Sequence, residues 1–327
     1  PPPISTLSDD RRQRQMCIRD RAETAEQWQQ EGAQGLSKQA HELVRWWQIF
    51  DDPVLNELVE IARTNNNTLE IAGLRVLEAQ AQLGVVTGLK YPQAQVAAGS
   101  ADYISPPDNS GVSSNYWSFG LGASASWELD FWGKFRRGIE SADAAFMASL
   151  AAYDQAQVLL AASVVGLYVV IRATEEQLRI SHENVAIQQR SYDIAEVLYN
   201  NGSDSELDMQ QALTLLLSTQ ATIPSLETGL AQTQNALSTL VNVAPGTLRD
   251  KLAEGSGIPA VPDTIAVGIP ADMLRRRPDV RQAELLAMAQ NAQVGLAQAD
   301  LYPSFSLTGS IGLSSSTRGD SDFGDLF

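Results

Sequence analysis

A two-residue alternation in the stretch NYWSFGLGASASWELDFWG, residues 115 to 133, constrains the fold more than any other feature of the sequence. The odd positions from Trp117 to Phe131 are all apolar, whereas the even positions from Ser118 to Asp130 are small or polar. Successive side chains of a β-strand point to opposite faces. The stretch therefore predicts a strand with one apolar face and one face of little bulk.

This strand allows two interpretations. In a soluble antiparallel sheet the apolar face covers a core, and the polar face would ordinarily carry Lys, Glu, Thr and Arg. In a membrane barrel the apolar face meets lipid, aromatic residues gather at the rims, and the inward face is polar. The Gly and Ser residues of the even face, and the aromatic residues at both ends of the odd face, favour the barrel.

Long helices are the second prediction. Between Phe135 and Asn200 the sequence has no proline and two glycines, so we expect a helix of about 65 residues and about 100 Å, too long for a compact globule. Asn201-Gly202 is a left-handed helix-ending signal, and Ser205 to Asp208 is a capping-box pattern that starts the next helix. The next helix carries an imperfect heptad seam from residue 213 to 241. The short turn predicts that the two helices are antiparallel neighbours.

The sequence also repeats itself. Ala81-Gln-Leu-Gly84 followed by Tyr91-Pro92 returns 211 residues later as Ala292-Gln-Val-Gly295 followed by Tyr302-Pro303. In both places a helical stretch leads through proline into an alternating strand, which marks an internal repeat. In the barrel interpretation the predicted lipid-facing residues are Trp117, Phe119, Leu121, Trp127, Phe305, Leu307 and Ile311, and the predicted lumen-facing residues are Ser118, Gly120, Gly122, Ser124, Glu128 and Asp130.

The two carboxylates where the strand meets the long helix, Glu128 and Asp130, have two possible roles. They could form an acidic ring that biases a pore toward cations. They could instead be solvated and cap the following helix, because carboxylates are stabilised at a helix N-terminus. We favour solvation and capping.

Lipid also sets a stoichiometry for such strands. The hydrocarbon region tolerates no unpaired strand edge, so the three or four strands of one chain must close with strands of other copies. If the second repeat supplies a fourth strand, a trimer closes with an even number of strands, as outer-membrane barrels do. Oligomerisation is therefore required by the barrel interpretation.

Composition argues against several classes of function. The formal net charge of −16 is unsuited to a nucleic-acid surface, which needs a basic face. Cys17, His41 and His182 cannot assemble a zinc site or a disulfide framework. The sequence has no Gly-rich phosphate loop, Gly-x-Ser-x-Gly elbow or Cys/His pair. We therefore expect no enzyme activity and no cofactor.

Four stretches resemble the TolC-like outer-membrane efflux proteins, specifically the drug-efflux lipoproteins that serve resistance-nodulation-division pumps. They are WWQIFDDPVLNELV from residue 46, SWELDFWGKFRR from residue 126, NNGSDSELDMQQA from residue 200 and GIPADMLRRRPDVRQAE from residue 268. The resemblance covers residues 40 to 327. It implies that the second half of the family's pattern lies beyond residue 327, so that the chain is truncated at its C-terminus.

The resemblance implies a homotrimer in the outer membrane of a Gram-negative bacterium, with its helices extending through the periplasm. A periplasmic adaptor would dock at the helical tip and link it to an inner-membrane pump, so the protein would be a passive exit duct. The alternative is a soluble periplasmic helical scaffold without channel activity. The expected adaptor-docking tip comprises Asn201, Gly202, Ser203, Ser205, Glu206 and Asp208.

The expected fold class is mainly α with a membrane β-barrel portion, in which a long antiparallel α-helical barrel joins four strands per protomer, three of them present here. Residues 1–21 resemble a non-native, adapter-derived segment. The expected segments after it are an N-terminal extended segment (22–52), the first-repeat helices (53–92), the first β-hairpin (93–132), the long helical hairpin (133–242), a linker (243–270), the second-repeat helix (271–301) and a third, truncated strand (302–327).

Overall fold

The computed structural model describes residues 36–37, 43–105, 115–255, 257–260, 265–266 and 275–317. The segment 1–21, with Cys17, lies outside the described residues, as do His41 and residues 318–327. The chain divides into two compact units. The core unit is Pro1–Gly73 with Ala152–Val280, and the sheet unit is Leu74–Ala151 with Arg281–Phe327.

The described elements include several that the sequence did not predict. A 3-10 helix, one short α-helix and a parallel pair of two-residue strands are each too short to show a hydrophobic period. In chain order the elements are β1 (Leu36–Ser37), the 3-10 helix (Leu43–Phe50), α1 (Pro53–Asn65), α2 (Asn67–Gly88), β2 (Ala94–Ile104), β3 (Tyr116–Glu128), α3 (Lys134–Asn200), α4 (Glu206–Val241), α5 (Arg249–Ala253), β4 (Ile265–Ala266), α6 (Pro278–Ala299) and β5 (Ser306–Ser316).

The sequence Asp52-Pro53 starts α1. Pro53 is the first residue of the helix, and Asp52 Oδ1 accepts a hydrogen bond from Leu55 N at 3.1 Å. The cap satisfies an amide that has no partner within the helix, and proline is tolerated there because the first helical position needs no donor. The buried residues of α1 are Val54, Leu55, Leu58, Val59 and Ala62.

Apolar side chains from α1, α3 and α4 form the core of the core unit. Leu58 of α1, Val164 of α3 and Leu237 of α4 are each 0% exposed and belong to one cluster. Burying an aliphatic side chain of this size stabilises a fold by about 1.5 to 3 kcal/mol. Leu237 and Val241 occupy the last two positions of the predicted heptad seam, so this end of the seam packs within the chain.

Helix α3 is the longest element, with 67 residues from Lys134 to Asn200. By length and composition it could cross a membrane, because one 18-residue window has a mean hydropathy of 1.9. However, Leu160, Val164 and Ile171 of this helix pack in the core of the chain. Burial within the protein therefore accounts for part of the apolar character of this stretch, since 39% of the window is buried.

A polar network lies beside this apolar core. The Tyr168 hydroxyl donates to Asp52 Oδ2 at 2.6 Å and accepts from Arg172 Nη2 at 3.1 Å. Arg172 is 2% exposed, and its Nη1 also donates to Glu175 Oε2 at 2.9 Å. The loop after α5 passes close by, since a Cβ at Gly255 would collide with the Arg172 guanidinium. One hydroxyl thus joins the N-cap of α1 to a buried arginine.

Burial is the main cause that raises the pKa of Tyr168 to about 12, and the hydrogen bond to Asp52 raises it further. Both effects favour the neutral phenol, which is the form that can donate to the carboxylate. Arg172 lowers this pKa in part. The network therefore holds a protonated tyrosine between a carboxylate and a guanidinium.

The sheet unit contains a three-stranded antiparallel sheet with the order β2-β3-β5. Ala97 of β2 and Ile311 of β5 both lie opposite Ala123 of β3. Directly opposed residues share a face of a sheet. The odd-numbered residues of all three strands therefore lie on one face, and the even-numbered residues lie on the other.

The strand β3 is shorter than the alternating stretch that predicted it. It ends at Glu128, so Leu129, Asp130 and Phe131 lie beyond the strand. The reason is the start of α3, where Gly133 adopts φ of 81° and the Asp130 carboxylate caps the helix. Side chains after Glu128 are therefore placed by this turn and not by the strand alternation.

The structure confirms the internal repeat. Helices α2 and α6 are both 22 residues long, and α6 begins and ends 211 residues after α2. Strands β2 and β5 are both 11 residues long and lie on opposite sides of β3. Each repeat therefore begins with a helix that leads into a strand of the same sheet.

The buried network predicts a loss of stability in Tyr168→Phe. We expect the free energy of unfolding to fall by about 1 to 3 kcal/mol, because Asp52 and the buried Arg172 each lose a hydrogen-bond partner. Thermal unfolding of the intact protein, followed by helical circular dichroism, measures the change. Tyr153→Phe is the control, since Tyr153 packs against the same core and its hydroxyl makes no hydrogen bond to a described residue.

The same variant also tests the pKa of Tyr168. Because folding raises this pKa from 10.0 to about 12, the stabilisation is complete below pH 10 and is lost as the pH rises toward 12. Over that interval the wild-type unfolding temperature should fall more steeply than that of Tyr168→Phe. Parallel curves, or equal losses in the two phenylalanine variants, would contradict the role of the hydroxyl.

Candidate functional site

The apolar face of the sheet is bare. Leu121, Leu307 and Ile311 are 67%, 61% and 78% exposed. In the strand register, Leu307 lies directly opposite Trp127. Ile311 belongs to the next cross-strand pair on the same face after the pair that contains Leu121. The side chains predicted to face lipid therefore form one continuous surface, which also includes Trp117 and Phe119.

The opposite face of the sheet carries small side chains. Gly122 lies opposite Ala98 on one side and Gly312 on the other, while Ser124 lies opposite Ser310. A Cβ at Gly122 would be 3.4 Å from the Ile311 carbonyl oxygen, which is ordinary contact. Ser118 and Gly120 belong to the same face by the same register. Two residues of β2 on this face, Val96 and Ile104, are exceptions because their side chains are bulky and exposed.

Aromatic side chains cluster at both ends of the strands. At one end, the Trp117 ring lies 5.2 Å from Tyr103 and 6.1 Å from Phe119. At the other end, the Trp132 ring stacks on Tyr302 with centroids 4.7 Å apart. The two clusters bracket the apolar residues in the way that aromatic belts bracket the lipid-facing band of a membrane protein.

The aromatic cluster at the end of the sheet next to α3 consists of Phe131, Trp132, Tyr302 and Phe305. Hydrogen bonds to the backbone hold this cluster in place. Trp132 Nε1 donates to the Pro303 carbonyl at 2.9 Å, and Leu129 N donates to the Phe305 carbonyl at 2.8 Å. The Phe131 and Phe305 rings lie 5.7 Å apart. Phe305 precedes β5, so these contacts, and not the strand itself, hold its side chain at the end of the sheet.

Charged residues lie next to this cluster. Lys134 Nζ is 2.9 Å from Asp300 Oδ1 and 3.8 Å from Glu128 Oε1. The hydrogen bond to Asp300 is the main cause that raises the pKa of Lys134. Glu128 therefore belongs to an ion-pair network at the end of the sheet, which sequence reasoning did not find because Asp300 is distant in sequence.

Asp130 caps helix α3. Its carboxylate accepts hydrogen bonds from Phe135 N at 3.0 Å and Arg136 N at 3.1 Å, and from Arg136 Nε at 3.0 Å. These are the contacts expected of a carboxylate at a helix N-terminus. They agree with the capping role favoured from the sequence. The position of Asp130 in a lumen stays a prediction.

The turn between α3 and α4 has the geometry of a Schellman motif. Gly202 has φ of 70°, Gly202 N donates to the Tyr199 carbonyl at 2.9 Å, and Ser203 N donates to the Leu198 carbonyl at 2.9 Å. The left-handed glycine at this position is the one that the Asn201-Gly202 signal predicts. A Cβ at Gly202 would meet no atom within 4 Å, so backbone conformation alone favours glycine there.

The start of α4 is capped by Ser205. Ser205 Oγ accepts from Asp208 N at 3.3 Å, and Ser205 N donates to Asp204 Oδ1 at 2.9 Å. The second bond differs from a capping box, in which Asp208 would accept from Ser205 N. Hydrogen bonding to the Ser205 side chain is the main cause that lowers the pKa of Asp208. The tip thus presents carboxylates on a short, ordered turn that also includes Glu206.

The described residues contain no group of three or more His, Cys, Asp or Glu side chains that could hold a metal ion. The arrangement offers instead two surfaces, a sheet with one bare apolar face and one small polar face, and an ordered turn between two long helices. These are the features of a protein that spans a membrane with strands and extends from it with helices.

Comparison with known proteins agrees with this class. Residues 58–243 and 269–325 match the family described as "Outer membrane efflux protein". The chain belongs to this family, which confirms the resemblance seen in the sequence. Its location is the outer membrane of a Gram-negative bacterium.

Two curated relatives and one solved structure illustrate the similarity. Nodulation protein T of Rhizobium leguminosarum bv. trifolii is 31% identical over 286 residues, which are 87% of this chain and 61% of that protein. Probable efflux pump outer membrane protein TtgC of Pseudomonas putida is 32% identical over 323 residues, 94% of this chain and 63% of that protein. The structure of the outer-membrane channel OprN is 30% identical with a TM-score of 0.80, covering 90% of this chain and 70% of that chain.

The chain thus spans less than two thirds of the length of these curated relatives. Over the shared part, the fold class is confirmed as mainly α, with long helices and a β contribution of three antiparallel strands. The lipid-facing and lumen-facing assignments and the docking role of the tip stay predictions.

Proposed function

We propose that this protein is a passive exit duct, a homotrimeric outer-membrane channel that a periplasmic adaptor couples to an inner-membrane resistance-nodulation-division pump. The observation that carries the proposal is the bare apolar face of a sheet whose other face is small and polar. The family of the chain and the name of TtgC, an efflux pump outer membrane protein, support the same function.

Lipid is the partner that suits the apolar face. Exposing side chains such as Leu121, Leu307 and Ile311 to water costs about 25 cal/mol for each Å² of apolar surface. A hydrocarbon environment removes this cost. The alternative, a soluble scaffold, would need another protein surface to cover the same residues. Within the part of the chain that the structure describes, these residues are mostly exposed.

Closure of the sheet requires other copies. The outer edges of β2 and β5 are unpaired among the described strands, and an unpaired backbone edge costs several kcal/mol per polar group in hydrocarbon. Pairing these edges with strands of neighbouring copies removes the cost. A ring of three copies satisfies every edge when each chain contributes an even number of strands.

The small face then lines the interior. Glycine and serine on this face leave room for water beside the backbone, which is what a hydrated path for solutes requires. Transport energy and substrate choice come from the pump, because the duct itself binds no cofactor and performs no chemistry in this proposal. The chain of small side chains from Ser118 to Ser124 is the proposed lumen surface.

The ordered turn from Asn201 to Asp208 is the proposed adaptor-docking tip. Val197 before the turn and Leu207 near its end are 57% and 64% exposed, so exposed apolar side chains lie at both ends of the turn. Apolar anchors with a polar rim are typical of protein contact sites. The Schellman geometry of Gly202 fixes the path of the chain between the two helices and therefore the position of these anchors.

Two arginine substitutions on neighbouring residues of β3 test the duct. In the intact protein Leu121→Arg places a charge against lipid, at a cost of about 2 to 4 kcal/mol per chain near the bilayer midplane. We expect much less trimer in the outer membrane. Gly122→Arg points its side chain into the proposed lumen, where water solvates the guanidinium, so we expect normal trimer with altered single-channel conductance and ion preference.

The two variants also separate the duct from the soluble scaffold. A buried sheet would be disrupted by Leu121→Arg as well, so the decisive results are the conductance of Gly122→Arg and the membrane fraction of the wild type. Unchanged conductance and ion preference in an assembled Gly122→Arg channel would show that the small face does not line the pore. Wild-type protein found only in the soluble fraction would favour the scaffold.

The tip assignment predicts that Gly202→Val lowers efflux while the amount of trimer stays normal. Valine is strained at φ of 70°, so the turn and its flanking anchors shift. Gly229→Val is the matched control, because Gly229 lies within α4, has no left-handed φ, and would meet no atom within 4 Å of an added Cβ. Efflux assays in cells with matched trimer levels compare the two. Wild-type efflux in Gly202→Val would contradict the docking role.

A further inference from the structure

The small face of the sheet carries only two charged side chains, and both are acidic. This face consists of the even-numbered residues of β2, β3 and β5. Among the residues of these three strands on this face, Asp102 and Glu128 are charged, and none is Lys or Arg. Asp102 lies near the end of β2 that is far from the helices, whereas Glu128 ends β3 just before α3.

The strand register, and not the sequence of β2, places Asp102 on this face. The sequence of β2 shows no regular alternation, since Ala94 and Ala98 lie on one face and Ala97 and Ala101 on the other. The lumen-facing residues predicted from the sequence therefore include no residue of β2. In the structure, Asp102 lies directly opposite Ser118 of β3, so both side chains share the small face.

Small neighbours leave the Asp102 carboxylate open to water. Ser118 lies opposite Asp102 on one side and opposite Ser316 on the other, and Ser100 precedes Asp102 on the same face of β2. Asp102 is exposed, as is the next residue, Tyr103, on the other face. Because the Tyr103 ring lies 5.2 Å from Trp117, Asp102 is level with the aromatic cluster at this end of the strands.

The two carboxylates of the small face differ in their partners. Glu128 Oε1 is 3.8 Å from Lys134 Nζ, which also pairs with Asp300 at 2.9 Å. Within the part of the chain that the structure describes, Asp102 makes no ion pair and no side-chain hydrogen bond. Asp102 is therefore the carboxylate of this face whose negative charge no described cation offsets.

The cation at the helix end is too far away to offset this charge. Glu128 follows Ser118 by ten residues along β3, and Ser118 lies opposite Asp102. At about 3.4 Å per residue this separation is about 34 Å along the strand. Salt screens charges in water over about 10 Å at 0.1 M. The potential near Asp102 therefore depends on Asp102 itself and not on Lys134.

We propose that Asp102 sets the ion preference of the duct at the end of the sheet far from the helices, where it favours cationic solutes and opposes the exit of anionic ones. Three copies place three such carboxylates around one lumen, and the lipid and protein around that lumen focus their field on the water inside. This inference rests on the trimeric duct of the proposed function.

Reversal potentials across planar lipid bilayers, measured with the intact protein in a KCl gradient, test the inference. Asp102→Asn keeps the shape of the side chain and removes its charge, so we expect the cation-to-anion permeability ratio to fall by about fivefold in 0.1 M salt. The difference from the wild type should shrink in 1 M salt, where screening acts within about 3 Å. Asp102→Glu is the control, because it keeps the charge and should keep the wild-type ratio.

A second substitution moves the charge to the neighbouring strand. In Asp102→Asn combined with Ser118→Asp, the new carboxylate lies directly opposite position 102 on the same face, so the wild-type ratio should return. A wild-type ratio in Asp102→Asn, equal losses in Asp102→Asn and Asp102→Glu, or no recovery in the double variant would overturn the inference and leave the duct intact. Absence of conducting channels in the wild type would overturn the duct, and the inference with it.

Discussion

Much of this structure depends on one physical constraint, the need to cover the apolar face of a three-stranded sheet. Leu121 and Ile311 on that face are 67% and 78% exposed, and the opposite face offers little more than glycine and serine. Water is an unfavourable solvent for the first face. Hydrocarbon is favourable for it, but only if the strand edges are paired. In the proposed duct, lipid exposure and assembly are therefore two consequences of the same sheet.

The end of the sheet shows how strands give way to helices at such a boundary. The Trp132 and Tyr302 rings stack beside Phe305, and the ion pair between Lys134 and Asp300 lies immediately next to them. Aromatic rings with one polar atom suit the interface between hydrocarbon and water, and charged groups lie on its wet side. The cap by Asp130 then starts α3 directly at this boundary. In the proposed duct, one short segment thus combines membrane anchoring with helix initiation.

Features encoded by local patterns could be predicted from the sequence. The alternation predicted the two faces of β3, and Asn201-Gly202 predicted the left-handed turn. The repeat was visible because its Ala-Gln-x-Gly motif recurs at a constant spacing. Each of these signals lies within a few residues, so a periodic or capping argument can detect it.

Features that depend on residues distant in sequence were missed. The bonds from Tyr168 to Asp52 and from Lys134 to Asp300 join residues that no local pattern connects. The end of β3 was placed too late because Leu129 and Phe131 continue the alternation, whereas the cap by Asp130 and the turn at Gly133 end the strand. Tertiary contacts decide such cases, since a side chain that could extend a strand can also serve a neighbouring element.

Site-directed spin labelling along β3 of the intact protein in lipid bilayers tests the central claim, that the apolar face contacts lipid. Collision rates with oxygen, which dissolves in hydrocarbon, should peak for labels at Phe119, Leu121 and Ala123. Collision rates with a water-soluble nickel complex should peak for labels at Gly120, Gly122 and Ser124. The account predicts these two profiles with a period of two residues and opposite phase. Profiles in phase, or high nickel accessibility at Leu121, would contradict it.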